Sequence, residues 1–245
     1  MIQSHEPDAA SDTSAPKPVS PVGSGPAPDR WWLVPAALVA GFGLLLWQVE
    51  SHGPVTGLDI RVRDHLQHWA TSPSMNWMYK PGRGMADLGD QSVTLLVLFA
   101  ATALAIRATR SWRPALVTVG ALAALATVIP LKLWIGRPGP GQVALGDAAL
   151  GFFPSGHTAD STLCYGASAL LLCAFVVPSG RGYTRLLRRA IAAVAAVLVL
   201  MTIFGLLWSD FHWLSDTLAS LCWCGAALLL VNRLLLRRFA RTDSP

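Results

Sequence analysis

The amino-acid sequence predicts an all-α, polytopic membrane protein with six transmembrane helices. Of its 245 residues, 53% are hydrophobic and only 13% are charged, and the mean hydropathy is +0.46. These values are typical of a chain that crosses the membrane several times rather than of a soluble domain. The formal net charge is +5, but the basic residues lie in short clusters between apolar runs. That distribution is typical of membrane proteins, and we expect no nucleic-acid partner.

The predicted spans cover residues 31–49, 92–106, 114–131, 158–178, 190–208 and 213–232. The first has no charged residue, and at ~1.5 Å per residue it nearly covers a hydrocarbon core of ~30 Å. The second is short unless it extends back through Leu88. The third begins at Pro114 and should bend near Pro130, because a proline inside a helix removes a hydrogen bond and clashes with the preceding turn.

The segments around these spans predict one membrane domain with two short tails. Residues 1–29 are rich in Pro, Ser, Ala and Asp, which predicts a disordered tail rather than a cleaved signal peptide. The six-helix domain is expected over residues 30–238, and residues 239–245 form a second tail. All four cysteines lie in apolar runs, which favours packing roles over disulfides or zinc; they are Cys164, Cys173, Cys222 and Cys224.

The arginine clusters predict the orientation. They lie between spans two and three (Arg107, Arg110, Arg113), between spans four and five (Arg181, Arg185, Arg188, Arg189) and after span six (Arg233, Arg237, Arg238, Arg241). An even number of spans places all three clusters and both termini on one side, which the positive-inside rule makes cytoplasmic. The sequence thus predicts a multi-pass protein of the inner (plasma) membrane with residues 154–157 and 209–211 outside.

The first outer loop, residues 50–90, is predicted to contain an amphipathic helix. Leu58, Val62, Leu66 and Trp69 recur at helical spacing, with polar residues between them. Such a helix lies at the membrane surface, anchored by Trp69 and Trp77, or packs over the bundle. The sequence leaves both alternatives open.

A Pro-Ser-Gly-His stretch at residues 154–157 opens the fourth span. Ser155 is a good helix cap, and Gly156 allows close approach to the backbone. The free amides of a first helical turn attract anions, and His157 adds a proton donor. The alternative is an ordinary capped helix with an incidental histidine.

His212 and Asp216 are four residues apart, so they share one face of the sixth span. The aspartate can fix the imidazole tautomer and leave the second ring nitrogen as a nucleophile or base. Alternatively, Asp216 only interacts favourably with the positive end of the helix dipole at a polar helix start. The sequence favours catalysis, because the pair lies on the same membrane side as His157 and Lys132.

Lys132 and Arg137 follow the third span on that outer side. Gly136 and Pro138 should end the helix and let Arg137 fold back toward Lys132, although both cations can instead snorkel to lipid head groups. Cations, an anion-receptive helix start and an oriented imidazole suit phosphoryl transfer through a phosphohistidine. We expect no metal and no cofactor.

These residues resemble the motifs of the type 2 phosphatidic acid phosphatase (PAP2) superfamily, which run Lys-x6-Arg-Pro, Pro-Ser-Gly-His and Ser-Arg-x5-His-x3-Asp. Residues 154–157 match the second motif, and Lys132, His212 and Asp216 match parts of the others. The resemblance covers residues 31–235 and implies a PAP2-like bundle. It further implies that His212 is the nucleophile, Asp216 its orienting partner and His157 the general acid.

The chain departs from these motifs at two arginines. Gly139 stands where the first motif has arginine, and Gly205 and Leu206 stand where the third has Ser-Arg. We expect Arg137 to replace one missing phosphate ligand beside Lys132, Ser155 and Gly156. Lys80 and Arg83 are further candidates.

The predicted function is that of a membrane phosphatase acting on a lipid phosphate or diphosphate at the outer leaflet. Polyprenyl diphosphate and phosphatidylglycerophosphate are the favoured substrates. A phosphotransferase using the same site is one alternative. A non-catalytic lipid-binding protein is another, because the two arginines are absent.

Overall fold

The computed structural model describes residues 30–141, 150–178 and 182–236, and all regular structure in these ranges is helical. The helices are α1 (Leu33–Glu50), α2 (Pro54–Ala70), α3 (Tyr79–Asp87), α4 (Gln91–Thr109), α5 (Arg113–Ala126), α6 (Val128–Ile135), α7 (Gly156–Leu171), α8 (Gly182–Trp208) and α9 (Leu214–Val231). A 3-10 helix precedes α3 (Pro73–Met78), and π-helical turns extend α7 (Leu172–Val176) and α9 (Asn232–Leu236). Both predicted tails, Arg181 and the arginines after residue 236 lie outside the described residues.

Six helical segments are long and apolar enough to cross a membrane, which confirms the predicted fold class. They are Leu33–Glu50, Gln91–Thr109, Arg113–Ile135, Gly156–Val176, Tyr183–Trp208 and Leu214–Leu235. The fifth begins at Tyr183 rather than at residue 190, so Arg185, Arg188 and Arg189 lie on the first turns of α8 and not in a loop. Arginine and leucine are good helix formers, which accounts for the earlier start.

The third span bends, as its proline predicts. Helix α5 ends at Ala126 and α6 begins at Val128, so the break lies at Thr127. Pro130 has no N–H to donate to the Ala126 carbonyl, and its ring crowds that oxygen, so the break precedes the proline. Helix α6 then carries Lys132 toward the end of the bundle where α4, α7 and α9 begin.

Helix α7 lies at the centre of the bundle. Half of its most apolar window is buried, whereas the corresponding share is 17–28% in the other spans. It packs against α4, α5, α8 and α9. Many of its buried residues are small, among them Ala159, Ser161, Cys164 and Ala167, and small residues let membrane helices approach closely. The central position of α7 fixes the place of His157 near its amino-terminal end.

Helix α2 packs against the bundle through polar residues. Arg63 donates from Nε and Nη2 to the Asp210 carboxylate at 2.7 Å each, and Gln67 donates to the Trp208 carbonyl at 3.1 Å. The hydrogen bond to Asp210 raises the pKa of Arg63. Asp59, one turn before Arg63, is 1% exposed, whereas Trp69 is 47% exposed. The inward face of α2 is therefore partly polar, and the membrane contacts of Trp69 and Trp77 stay predictions.

Helix α3 lies against the end of α8 at a glycine. A Cβ atom on Gly205 would stand 2.6 Å from the Gly82 carbonyl oxygen and would also collide with the Ala86 nitrogen. Both neighbours are backbone atoms, which cannot move aside as a flexible side chain does. A residue larger than glycine at position 205 is incompatible with this packing.

We predict that Gly205→Ala lowers the stability of the protein by about 1–3 kcal/mol, the usual cost of overpacking. Thermal unfolding in detergent measures this change. Gly84→Ala is the matched control on α3, because a Cβ atom there meets nothing within 4 Å. Equal unfolding temperatures for the two variants would show that α3 and α8 are not in close contact.

Candidate functional site

A cavity of about 380 Å³ opens at the end of the bundle where α4, α7 and α9 begin and α6 ends. Its wall contains four of the predicted site residues, Lys132, Gly156, His157 and His212. The other residues of the wall are Asp90, Gln91, Leu150, Gly151, Phe152 and Asp160. The fold thus brings together predicted site residues that are up to 80 residues apart in the sequence, the separation of Lys132 from His212.

His212 and Asp216 form a buried pair at the start of α9. The Nδ1 atom of His212 lies 3.2 Å from Oδ2 of Asp216, and that oxygen also accepts from the backbone N–H of Trp213 at 3.1 Å. Asp216 is fully buried and His212 is 8% exposed. A carboxylate at Nδ1 favours the tautomer with its proton there, which leaves Nε2 as a lone pair. The edge of Phe152 packs against the imidazole, with ring centroids 5.4 Å apart.

The Pro-Ser-Gly-His turn is held to α9. Ser155 caps α7, its Oγ accepting from the Thr158 N–H at 3.3 Å. Its own N–H donates to the Asp216 carbonyl at 3.1 Å, and its carbonyl accepts from Ser220 Oγ at 2.7 Å. These bonds place the first-turn amides of Gly156 and His157 beside the elements that carry His212. Helix amino termini of this kind favour anions.

Lys132 contributes a cation to the cavity. Its Nζ donates to the Pro154 carbonyl at 3.2 Å, which directs the ammonium group to the start of α7. An ammonium group carries three donors, so this bond leaves others for a ligand. Lys132 and the α7 amides are thus neighbouring features of one anion-receptive surface.

Arg137 lies on the other side of Asp216. Its Nη1 donates to the Asp216 carboxylate and to Ser215 Oγ, and its Nη2 donates to Asp59 Oδ2 at 2.7 Å. Its guanidinium also stands 5.4 Å from the ring centroid of Trp213. The described wall of the 380 Å³ cavity does not include Arg137. The predicted contact between Arg137 and phosphate is therefore not preformed in this structure.

Sequence reasoning did not identify Asp59, Ser215 or Asp90 as residues of the site or its support. Asp59, Arg63 and Gln67 recur every four residues on α2, and this polar repeat was the signal for an inward-facing stripe. Asp90 caps α4 by accepting from the Ser92 N–H at 2.8 Å. Hydrogen bonds from Ser92 lower the pKa of Asp90, so this residue of the wall is anionic at neutral pH.

Packing disfavours arginine at the two motif positions where this chain departs from the family. A Cβ atom on Gly139 would lie 2.6 Å from the ring of Phe152, the residue that contacts His212. Leu206 is fully buried beside Gly205. Lys80 and Arg83, the further candidates for phosphate binding, lie on α3 and are exposed. Arg83 stands over the Phe211 ring, 5.3 Å from its centroid, and is not part of the described cavity wall.

Within the described ranges, no group of three or more His, Cys, Asp or Glu side chains is arranged to hold a metal ion. The described cysteines are free thiols. The chemistry of the described cavity wall is that of imidazole, ammonium and carboxylate groups.

Comparisons with known proteins bear on the family and the fold. The sequence model of the PAP2 superfamily matches residues 113–240, just over half of the chain. A search of curated proteins gave no match. Among solved structures, the fold is similar to the crystal structure of a transmembrane PAP2-type phosphatidylglycerolphosphate phosphatase from Bacillus subtilis. That match has a TM-score of 0.68 and 19% sequence identity, and covers 86% of this chain and 98% of the other.

We predict that Gly139→Arg, which restores the residue of the family motif, lowers activity instead of raising it. The new side chain must displace Phe152 from its contact with His212, because the Cβ atom alone would lie 2.6 Å from the Phe152 ring. Turnover of a lipid phosphate measures the effect.

The double variant Gly139→Arg/Phe152→Ala is the control for this explanation. It removes the obstructing ring and should tolerate the arginine better than the single variant does. A single variant that is more active than the wild-type protein would contradict the steric account.

Proposed function

The chain belongs to the PAP2 superfamily, and from this membership and the site geometry we propose that it is a membrane phosphatase that hydrolyses a lipid phosphate or diphosphate. The observation that carries the proposal is the His212–Asp216 pair. Its imidazole lines the cavity while Nδ1 is held 3.2 Å from a buried carboxylate. An imidazole held in this way is suited to nucleophilic catalysis.

In the first step, the Nε2 lone pair of His212 attacks phosphorus and forms a P–N bond. The bond from phosphorus to the lipid oxygen breaks, and His157 donates a proton to that oxygen. The Asp216 carboxylate stabilises the positive charge that develops on the imidazole. The products are the dephosphorylated lipid, or the lipid monophosphate if the substrate is a diphosphate, and a phosphohistidine.

In the second step, water attacks the phosphohistidine. His157, now neutral, accepts a proton from the water, and the P–N bond breaks to release inorganic phosphate. The electron pair of that bond returns to His212 Nε2, which restores the starting tautomer. One histidine thus acts first as a general acid and then as a general base.

Charge on the phosphoryl oxygens is offset by Lys132 and by the amides of Gly156 and His157. Donors that are already fixed before the substrate binds need no reorganisation during the reaction. Lys132 is held at the Pro154 carbonyl, and the α7 amides are held by the bonds of Ser155. Because this chain lacks two arginines of the family motifs, these groups offset the phosphoryl charge without them.

We place the reaction at the outer leaflet. The described arginines of the loop between α4 and α5 and of the first turns of α8 lie at the end of the bundle opposite to the cavity. By the positive-inside rule, the cavity then opens on the extracytoplasmic side. The similar Bacillus subtilis protein is described as a phosphatidylglycerolphosphate phosphatase. Phosphatidylglycerophosphate and polyprenyl diphosphate are accordingly our first substrates to test.

Two carboxylates favour a phosphotransferase as the second candidate function. Asp90 and Asp160 line the same cavity as the histidines, and Oδ1 of Asp160 is buried without a hydrogen-bond partner in the described part of the chain. A carboxylate at that place can accept a hydrogen bond from the hydroxyl group of an acceptor lipid or glycan. The phosphoryl group would then pass from His212 to that hydroxyl instead of to water.

We predict that the purified protein in detergent releases phosphate from at least one lipid phosphate or diphosphate of a panel. His212→Ala should abolish release, because it removes the nucleophile, and His157→Ala should reduce it by about 10²–10⁴-fold. His68→Ala is the matched control, because His68 is exposed on α2 away from the cavity. Phosphate release from each lipid measures the outcome.

The same assay distinguishes the alternatives. Labelling of the protein with phosphate, with no release until a hydroxyl acceptor is added, would support the phosphotransferase. Neither labelling nor release with any lipid of the panel would contradict both enzymatic functions and leave a lipid-binding protein. Full activity of His212→Ala would contradict the assignment of the nucleophile.

A further inference from the structure

We infer that Asp59, Arg137 and Ser215 form a buried clamp on Asp216 and that this clamp positions His212. This inference rests on the proposed function, because it assigns a role to residues that support the same site. Its residues come from three separate segments: α2, the turn after α6, and the first turn of α9. The outer-loop helix α2 is thereby part of the machinery that supports the nucleophile.

The Arg137 guanidinium joins two buried carboxylates. Its Nη1 donates to Asp216 Oδ1, and its Nη2 donates to Asp59 Oδ2 at 2.7 Å. The arginine side chain is 11% exposed, and the two aspartate side chains are 1% and 0% exposed. Only the planar fork of arginine presents donors to two partners in this way, whereas lysine is a point charge.

Asp59 fixes the other side of the clamp. Its Oδ1 accepts from the Ser215 N–H at 2.9 Å, and its Oδ2 accepts from Ser215 Oγ at 2.6 Å. Ser215 Oγ also receives a bond from Arg137 Nη1 at 2.7 Å. The Ser215 amide is one of the first-turn donors of α9 that the helix itself cannot satisfy. Asp59 therefore holds the backbone from which Asp216 projects.

The charges explain why the clamp needs Asp59. A buried guanidinium beside Asp216 alone would neutralise that carboxylate and weaken its attraction for a positive imidazole. With Asp59 included, two carboxylates share one guanidinium, so the three side chains together have a formal net charge of about −1. Because burial strengthens such interactions, the remaining charge favours the imidazolium form of His212 during attack. Hydrogen bonds to each member offset the cost of burying them.

Other charged groups also face the region around His212. They are Arg63 on α2, Asp90 before α4, Lys132 on α6, His157 and Asp160 on α7, and Asp210 in the turn before α9. Of these described groups and the clamp residues, it is Asp216 that contacts His212 at Nδ1. Arg137 binds the carboxylate of the same Asp216. The effect of the clamp on His212 therefore passes through Asp216.

This role competes with direct phosphate binding by Arg137, the role that the sequence predicts. A phosphate ligand contributes to substrate affinity, so its loss raises KM. A positioning residue contributes to the reactivity of the bound complex, so its loss lowers kcat. The two roles therefore predict changes in different kinetic parameters, KM for phosphate binding and kcat for positioning.

The first test is steady-state kinetics with a lipid phosphate that the wild-type protein turns over. Asp59→Asn, Ser215→Ala and Arg137→Lys should each lower kcat, the first and third by about 10–100-fold, as for other residues that orient a reactive group. KM should stay within about twofold. Asp64→Asn is the matched control, because it makes the same change as Asp59→Asn on the same helix, at a side chain that is 67% exposed and does not touch Asp216. It should keep its kcat.

A second test needs no substrate. In protein labelled with ¹⁵N-histidine, the imidazole shifts of His212 report which ring nitrogen carries the proton, and His212→Ala identifies the signals. The wild-type protein and Asp64→Asn should show the proton at Nδ1. Asp59→Asn and Arg137→Lys should show a mixture of both tautomers. Ser215→Ala, which removes only a hydroxyl group, covers the case in which Asp59→Asn does not fold.

The two tests separate this inference from the proposed function. A wild-type protein without activity on any lipid, in which the clamp variants still change the tautomer, would contradict the phosphatase and support the clamp. An unchanged tautomer in Ser215→Ala and Arg137→Lys would overturn the clamp. So would a raised KM at constant kcat in Arg137→Lys, or an Asp64→Asn variant as impaired as Asp59→Asn.

Discussion

The carboxylate of Asp216 is the point on which the site depends. One oxygen lies beside His212 Nδ1 and accepts from the Trp213 N–H, and the other accepts from Arg137. The backbone carbonyl of the same residue accepts from the Ser155 N–H. The imidazole, the Pro-Ser-Gly-His turn and the guanidinium are therefore held by one residue. A buried carboxylate with so many donors is fixed in position, as an orienting partner of a histidine must be.

The departures from the family motifs follow from packing around this site. Gly205 brings α3 against the end of α8, and Gly139 leaves room for Phe152, which contacts His212. An arginine at position 139 would need the space of the Phe152 ring, and one at position 206 would replace the fully buried Leu206. The anion-receptive groups are instead Lys132 and the amides at the start of α7. Asp90 and Asp160 add negative charge to the same wall, so the cavity is less basic than the motifs alone imply.

Much of the architecture could be predicted from the sequence, because it depends on local patterns. Long apolar runs predict the six spans, Pro130 predicts the bend in the third, and spacing four residues apart predicts the His212–Asp216 contact. The clamp could not be predicted in this way. Asp59 meets Ser215 across 156 residues, and no local pattern reports such a contact. The amphipathic pattern of α2 was informative about the helix, but it pointed to an apolar contact face, whereas polar bonds hold α2 to the bundle.

The most direct measurement is a structure of the protein with orthovanadate, which mimics phosphorus bound to five ligands during the attack. The account predicts vanadium bonded to Nε2 of His212, with Nδ1 still beside Asp216. Lys132 and the α7 amides should contact the vanadate oxygens, while Arg137 stays between Asp59 and Asp216. Vanadium bonded to His157, or an Arg137 that leaves both aspartates to bind vanadate, would contradict the account.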